Sequence, residues 1–228
     1  MKVNGTFVLY DVAAQTYQGH DQARAEKRFI PASTFKIPNS LIGLSVGAVK
    51  NVDEALPYKG ETHPFIQAWA KDMGLREAIK LSNVRIYQEL ARRIGLERMR
   101  ENILRLSYGN MEIGTSVDTF WLTGPLEISA VEQTEFLAKL VKDELPFPLE
   151  LQKSVREIVF MEAGKNWQLY GKTGWADTPD QKIGWWIGWV VQNERVYVFA
   201  LNMDMQNASE ASKRMELGKA SLQALGLL

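Results

Sequence analysis

An α+β fold is predicted, with strands from both ends of the chain joined in one antiparallel sheet and the mid-chain helices forming a second lobe. Three observations carry it. The last third consists of strand-length runs of β-branched and aromatic residues, and the stretch Gly5 to Tyr10 reads the same way. The span between them repeats apolar residues at helical spacing. The 228 residues, 46% hydrophobic and 24% charged, suit one large globular domain. No repeat, low-complexity tract or linker divides them, so residues 1–228 are expected to form a single domain. The sheet region is placed at about 1–33 and 165–228, and the helical lobe at about 34–164.

Taken in order, Gly5 to Tyr10 is a strand, followed by turn residues and a second short strand near Thr16–Gly19. A mainly apolar helix runs from Ile37 to Val46. From Phe65 to about Leu106 the pattern is helical, with Ile86, Leu90 and Ile94 in one stripe. Met111 to Pro125 is irregular. Ser129 opens another helix, with Glu132 three residues on as a capping box. A further helix is expected from Glu150 to Phe160.

Strands are expected at Gln168–Thr173, Ile183–Gln192 and Arg195–Asp204, the last two joined across Asn193-Glu194. In the middle one, Ile183, Trp185, Ile187 and Trp189 share one face. Trp186 and Val190 face the other way, with Gly184 and Gly188. A strand apolar on both faces belongs in the centre of a sheet covered on both sides. Ser209 to Leu225 closes the chain as a helix.

Charge and residue inventory exclude several functions. Lys and Arg total 27 against 27 Asp and Glu, which removes the electrostatic case for binding nucleic acid or an anionic membrane. No apolar run is long enough to span a bilayer, and Met1 to Phe7 lacks the pattern of a signal peptide. Met1-Lys2-Val3 suits a native start or an initiator placed on a mature chain. With no cysteine, disulfides, thiolate catalysis and Cys-based zinc sites are excluded. His20 and His63 are the only histidines; neither has metal-ligand spacing, and their turn-like settings do not suit a triad. No metal is expected, and a nucleophile here needs a base other than histidine.

Ser33-Thr34-Phe35-Lys36 supplies one. At the start of a helix, residues three apart share a face, bringing the Ser33 hydroxyl to the Lys36 amine. Backbone N–H groups at such a terminus can stabilise an oxyanion. Pro38 fits only in a first turn, which agrees. Alone, S-x-x-K arises by chance roughly once in a chain this long, and an N-cap serine before a solvated lysine explains it equally. Lys172-Thr173-Gly174 is rarer, about once in twenty such chains. It reads as a strand end where Gly174 permits close approach, or simply as a strand followed by a turn. Ser82-Asn83-Val84 and Tyr108-Gly109-Asn110 are individually ordinary.

In this order the four motifs resemble those of the class D serine β-lactamases, the oxacillinase family. Phe29 to Ser40, Tyr87-Gln88-Glu89, Phe120-Trp121-Leu122 with Gly124-Pro125-Leu126, Ile128-Ser129-Ala130, and Gly184-Trp185-Trp186 with Gly188-Trp189-Val190 extend the likeness over nearly the whole chain. The resemblance implies a central antiparallel sheet flanked by helices in a three-layer α/β/α fold of the penicillin-recognising type. It implies hydrolysis of penicillin-type β-lactams through an acyl-serine, conferring resistance, by a monomer or homodimer in the periplasm. A β-lactam sensor domain or a D-Ala-D-Ala transpeptidase or carboxypeptidase is the alternative.

The same resemblance implies roles. Ser33 is the nucleophile and Lys36 the general base, carboxylated by carbon dioxide, with no other cofactor. Only a neutral amine attacks carbon dioxide, and lowering a pKa near 10.4 to about 7 requires roughly 4–5 kcal/mol of desolvation. Phe35, Val84, Trp121 and Leu122 are the residues that dry the site, and the Trp121 indole N–H holds the carbamate. Ser82 relays a proton to the lactam nitrogen. Lys172, Thr173, Gly174 and Arg214 face the substrate carboxylate, the backbone N–H groups of Ser33 and Trp175 form the oxyanion hole, and Tyr108 and Asn110 shape the cleft. Departures from the family are Arg85, where proline is common, the residues flanking Arg214, and an acidic connection from Trp175 to Lys182. Trp69, Trp167, Trp185, Trp186 and Trp189 are expected to be core.

Overall fold

The computed structural model describes residues 3–62, 64 and 66–228. Met1, Lys2, His63 and Phe65 lie outside them, and with these the chain start, the reading of His63 and the first residue of the helical span. The N-terminal strands are β1 (Gly5–Asp11) and β2 (Thr16–His20), followed by a short helix α1 (Gln22–Glu26). A 3-10 turn at Ala32–Phe35 leads into α2 (Lys36–Ser45). The mid-chain helices are α3 (Leu75–Lys80), α4 (Val84–Ile94), α5 (Leu96–Leu106), α6 (Ala130–Val141) and α7 (Leu149–Ile158). Then come β3 (Phe160–Ala163), β4 (Trp167–Asp177), β5 (Lys182–Gln192), β6 (Arg195–Asp204) and the closing helix α8 (Lys213–Ala224).

The six strands form one antiparallel sheet in the order β2-β1-β6-β5-β4-β3, so the two chain ends meet where β1 pairs with β6. The expected α+β architecture is the observed one. β5 is interior, and its faces divide as the alternation requires. Ile183, Trp185, Ile187 and Trp189 pack with Ile37, Leu41, Phe136 and Leu137 in the larger core, while Trp186 and Val190 pack with Phe199 and Leu222 beneath α8. Helices thus cover both faces, giving three layers. Asn193 and Glu194 make the β5–β6 turn with φ of 48° and 65°, the left-handed pair that a two-residue hairpin loop favours. At α6 the capping box is complete: Ser129 accepts from the Glu132 N–H and Glu132 accepts from the Ser129 N–H.

Several elements differ from expectation. The span to Leu106 is broken at Leu81–Asn83 and at Gly95 (φ 81°) into three helices after a 3-10 turn at Gln67–Trp69. α7 stops at Ile158, and Phe160 opens β3, a strand defined by pairing with β4 rather than by its own four residues. β4 runs past Thr173 to Asp177, because its register with β5 continues through Trp175↔Gly184 and Asp177↔Lys182 and closes with an Asp177–Lys182 ion pair at 3.1 Å. The K-T-G motif is therefore mid-strand, and the connection shrinks to Thr178–Gln181. The C-terminal helix begins at Lys213, after a 3-10 turn at Ala208–Glu210. Trp69 and Trp167 are half-buried, whereas Trp185, Trp186 and Trp189 are core.

Candidate active site

The segment carrying Ser33 is held from several directions before it turns. Phe29 and Ile128 exchange backbone bonds, the Ile30 N–H donates to Gln181 Oε1 at 2.9 Å, and Trp185 Nε1 donates to the Ile30 carbonyl at 2.9 Å. That clamping supports Ala32 at φ 48°, a left-handed conformation that costs a non-glycine residue energy. The 3-10 turn then rests directly on β4. A Cβ placed on Gly174 would lie 2.9 Å from the Pro31 carbonyl oxygen and 3.0 Å from Thr34 Cγ2. Glycine in K-T-G is thus what lets the serine segment reach the strand.

Ser33 is half-buried, and Lys36 one turn later is fully buried, its Nζ donating to Ser33 Oγ at 2.7 Å. The amine sits 5.3 Å from the centre of the Tyr87 ring, and Tyr87 in turn bonds Ser40, which donates to the Lys36 carbonyl. Burial, reinforced by the nearby charge of Lys172, pulls the Lys36 pKa well below that of an ordinary lysine. Phe35 stacks on Trp121 at 5.4 Å and meets Phe120 edge-on. Trp121 is fully buried, and its indole N–H has no hydrogen-bond partner among the described residues.

Across from Lys36 stands β4. β3 pairs with β4 from Gln168 to Tyr170, with a further bond from Gly171 N to the Val159 carbonyl, and among the described residues no strand covers that edge from Lys172 onward. Lys172 is buried. Its Nζ donates to Ser82 Oγ and to the Thr173 carbonyl, both at 2.9 Å, and burial together with Arg214 brings its pKa down to about 7. Ser82 has φ 54°, a second left-handed residue at this site. Arg214, at the start of α8, crosses to the Gly174 carbonyl and also donates to the Ala211 carbonyl; its burial lowers its pKa to about 10. Among the described residues, no ion pair engages Lys36, Lys172 or Arg214. Three cationic side chains converging on hydroxyls and carbonyls, with no carboxylate among them, make a site for an anionic ligand beside a serine.

Comparison with known proteins decides the family. A family model described as "Penicillin binding protein transpeptidase domain" matches residues 5–223. β-Lactamase OXA-10 of Pseudomonas aeruginosa is 38% identical, over 99% of this chain and 86% of its own length. β-Lactamase OXA-48 of Klebsiella pneumoniae is 40% identical, over 97% and 83%. The crystal structure of FUS-1 (OXA-85), a class D β-lactamase from Fusobacterium nucleatum subsp. polymorphum, superposes with a TM-score of 0.96 at 45% identity, covering 99% of this chain and 94% of that one. The chain belongs to the class D serine β-lactamases.

In this class D β-lactamase, sequence reasoning and geometry bring Ser33, Lys36, Ser82, Lys172, Thr173, Gly174 and Arg214 to one place. Val84 is half-buried at the start of α4, where Asn83 caps the helix by accepting from the Ile86 N–H. Leu122 is half-buried against the main core. Arg85 sits on the exposed side of that turn, 3.6 Å from Glu61. The Trp175 side chain packs with Leu201, Met203 and Met205 on the α8 side, leaving its backbone as the part able to serve the site.

Tyr108 differs from the expectation of a cleft-facing residue. At 1% exposure it packs edge-on against Phe35 and Phe136, because its ring fills the space under the serine turn. Its hydroxyl donates to Gln133 Oε1, and Gln133 Nε2 donates to Thr34 Oγ1 at 2.9 Å. Gln133 was missed; its only signal in sequence is an amide on the face of α6 that the capping box turns inward. Asn110 instead braces the Met111–Pro125 segment, donating to the Pro125 carbonyl. His20 is exposed on β2 and takes no part.

Proposed function

We propose that Ser33 opens penicillin-type β-lactams as an acyl-serine, with Lys36 as the residue that activates it and, outside the cytoplasm, protects the host from these antibiotics. The carrying observation is the 2.7 Å contact from Ser33 Oγ to an amine that is fully buried and has no carboxylate partner. Burial holds the pKa of this amine well below that of an ordinary lysine, which favours the neutral form whose lone pair can take a proton or react with carbon dioxide. The partnerless Trp121 N–H is the donor that suits a carbamate on that nitrogen, and Phe35 and Leu122 keep water from it. Such a carbamate supplies an anionic general base.

The rest of the chemistry belongs to side chains already positioned. Lys172, Thr173 and Arg214 bind the carboxylate next to the lactam nitrogen, which orients the carbonyl toward Ser33 Oγ. The N–H groups of Ser33 and Trp175 receive the oxyanion. Ser82, bonded to Lys172 at 2.9 Å, returns a proton to the departing nitrogen. Water then releases the acyl group, regenerating the Ser33 hydroxyl and a product carrying a carboxylate and an amine.

The test is turnover of a chromogenic cephalosporin, followed together with intact mass and with and without bicarbonate. Many turnovers, faster with bicarbonate, are expected. Lys36→Ala should lower kcat by about 10²–10⁴-fold, the range for a positioned general base. A single stable adduct on Ser33 would instead identify a sensor, and undiminished hydrolysis by Lys36→Ala would refute the role of the lysine.

A further inference from the structure

A cavity of about 430 Å³ adjoins the carboxylate wall and shares Lys172 and Thr173 with it. Its other walls come from three elements that meet where β3 stops covering β4. Ile79 and Lys80 end α3, Val159 leads into β3, which carries Phe160 and Met161, and Met215 lies on α8. Ile79 and Val159 are buried, whereas Phe160 is 41% exposed and packs edge-on against Tyr170. Gly171 lets Met161 and Trp186 pack closely over the strand, since a Cβ there would lie 3.1 Å from both Met161 Sδ and Trp186 Nε1.

The position of the cavity along β4 is informative. The serine turn packs at Gly174, the cationic groups gather at Lys172 and Thr173, and the cavity lies at Gly171 to Thr173. Nucleophile and cavity therefore flank the carboxylate wall from opposite sides. A bicyclic lactam bound with its carbonyl at Ser33 and its carboxylate at the wall directs the next ring carbon, the one beyond the carboxylate-bearing carbon, toward the cavity. In a cephalosporin that carbon carries a substituent; in a penicillin the corresponding ring position carries only small groups. We infer that the cavity is a subsite for an apolar or aromatic substituent at that carbon, and that Phe160, Met161 and Met215 set the preference among cephalosporins. The inference rests on the β-lactamase reading and on the orientation proposed above.

The test compares a penicillin, a cephalosporin with a methyl group at that position and one with a phenyl group there, all sharing one acylamido side chain. The readout is the ratio of kcat/KM for phenyl over methyl, which cancels intrinsic reactivity when variants are compared. Met161→Trp fills the cavity and should lower that ratio about tenfold, the lower range for a bulk change in an apolar pocket. It should leave the penicillin within about twofold. Phe160→Ala removes an aromatic wall and should lower the ratio while leaving the penicillin unchanged, and being half-exposed it guards against a folding failure in the first variant. Equal changes on all three substrates, or unchanged ratios in both variants, would overturn the subsite. Absence of turnover on every substrate, with no adduct on Ser33, would overturn the underlying reading and the subsite with it.

Discussion

Lys36 and Trp121 make an unusual pair of buried polar groups. Burial holds the Lys36 pKa well below that of an ordinary lysine, and Trp121 keeps an N–H that nothing among the described residues accepts. An unsatisfied buried donor costs stability, about 1–3 kcal/mol, and its retention points to use in the reaction. Trp121→Phe keeps an aromatic ring against Phe35 and removes the donor together with part of the buried ring volume. Thermal melts should show a loss of stability, because the smaller ring leaves a cavity that removal of the orphan donor offsets only in part. The bicarbonate concentration giving half-maximal stimulation should rise about tenfold or more, as expected from losing a hydrogen bond to a charged group worth about 1.5–3 kcal/mol. An unaltered bicarbonate requirement would remove Trp121 from the site.

At the level of elements, the decisive contact is the 3-10 turn of Ala32–Phe35 on β4. Gly174→Ala would press a methyl group against the Pro31 carbonyl and Thr34, displacing the serine from the strand that completes its site. A shift of about 1 Å can cost 10²-fold, so kcat/KM should fall by roughly that factor while circular dichroism stays native. Unchanged kcat/KM would show that the turn tolerates the shift. The same contact explains what was legible in the residues and what was not. Local signals were read correctly: the two-faced apolar pattern of β5, the Asn193-Glu194 turn and the Ser129–Glu132 capping box each depend on neighbours in sequence. Elements defined by a partner rather than by their own residues were not, namely β3 and the last four residues of β4, whose strand character comes from hairpin pairing. The place of Tyr108 was hidden for the same reason, since the motif gives no sign of the α6 amide that anchors it. The candidate site was legible because four short motifs coincide in order, although nothing in their spacing gives the depth at which Lys36 is buried.

Across the whole molecule, Lys172 and Arg214 are held near one another in buried positions, so the fold carries an electrostatic cost wherever both are charged. Lys172 allows the sign to be worked out. Its pKa is about 7 when folded, pushed down by burial first and by Arg214 second, and near 10.5 when unfolded. Between those values the unfolded chain binds more protons, so the contribution of this group to stability improves as pH rises from about 7 to 10.5 and is worst, and constant, below about 7. Lys172→Met keeps much of the side-chain volume and removes the charge. It should raise Tm by several degrees at pH 6, at about 2–4 °C per kcal/mol for a chain this size, and the advantage should vanish toward pH 10. Its kcat/KM on a carboxylate-bearing lactam should fall at least 10²-fold at the same time, because the wall loses the group bonded to Ser82. Melts across pH 6–10 beside steady-state kinetics check both halves, and a Tm difference independent of pH would mean that the lysine enters the site already paired.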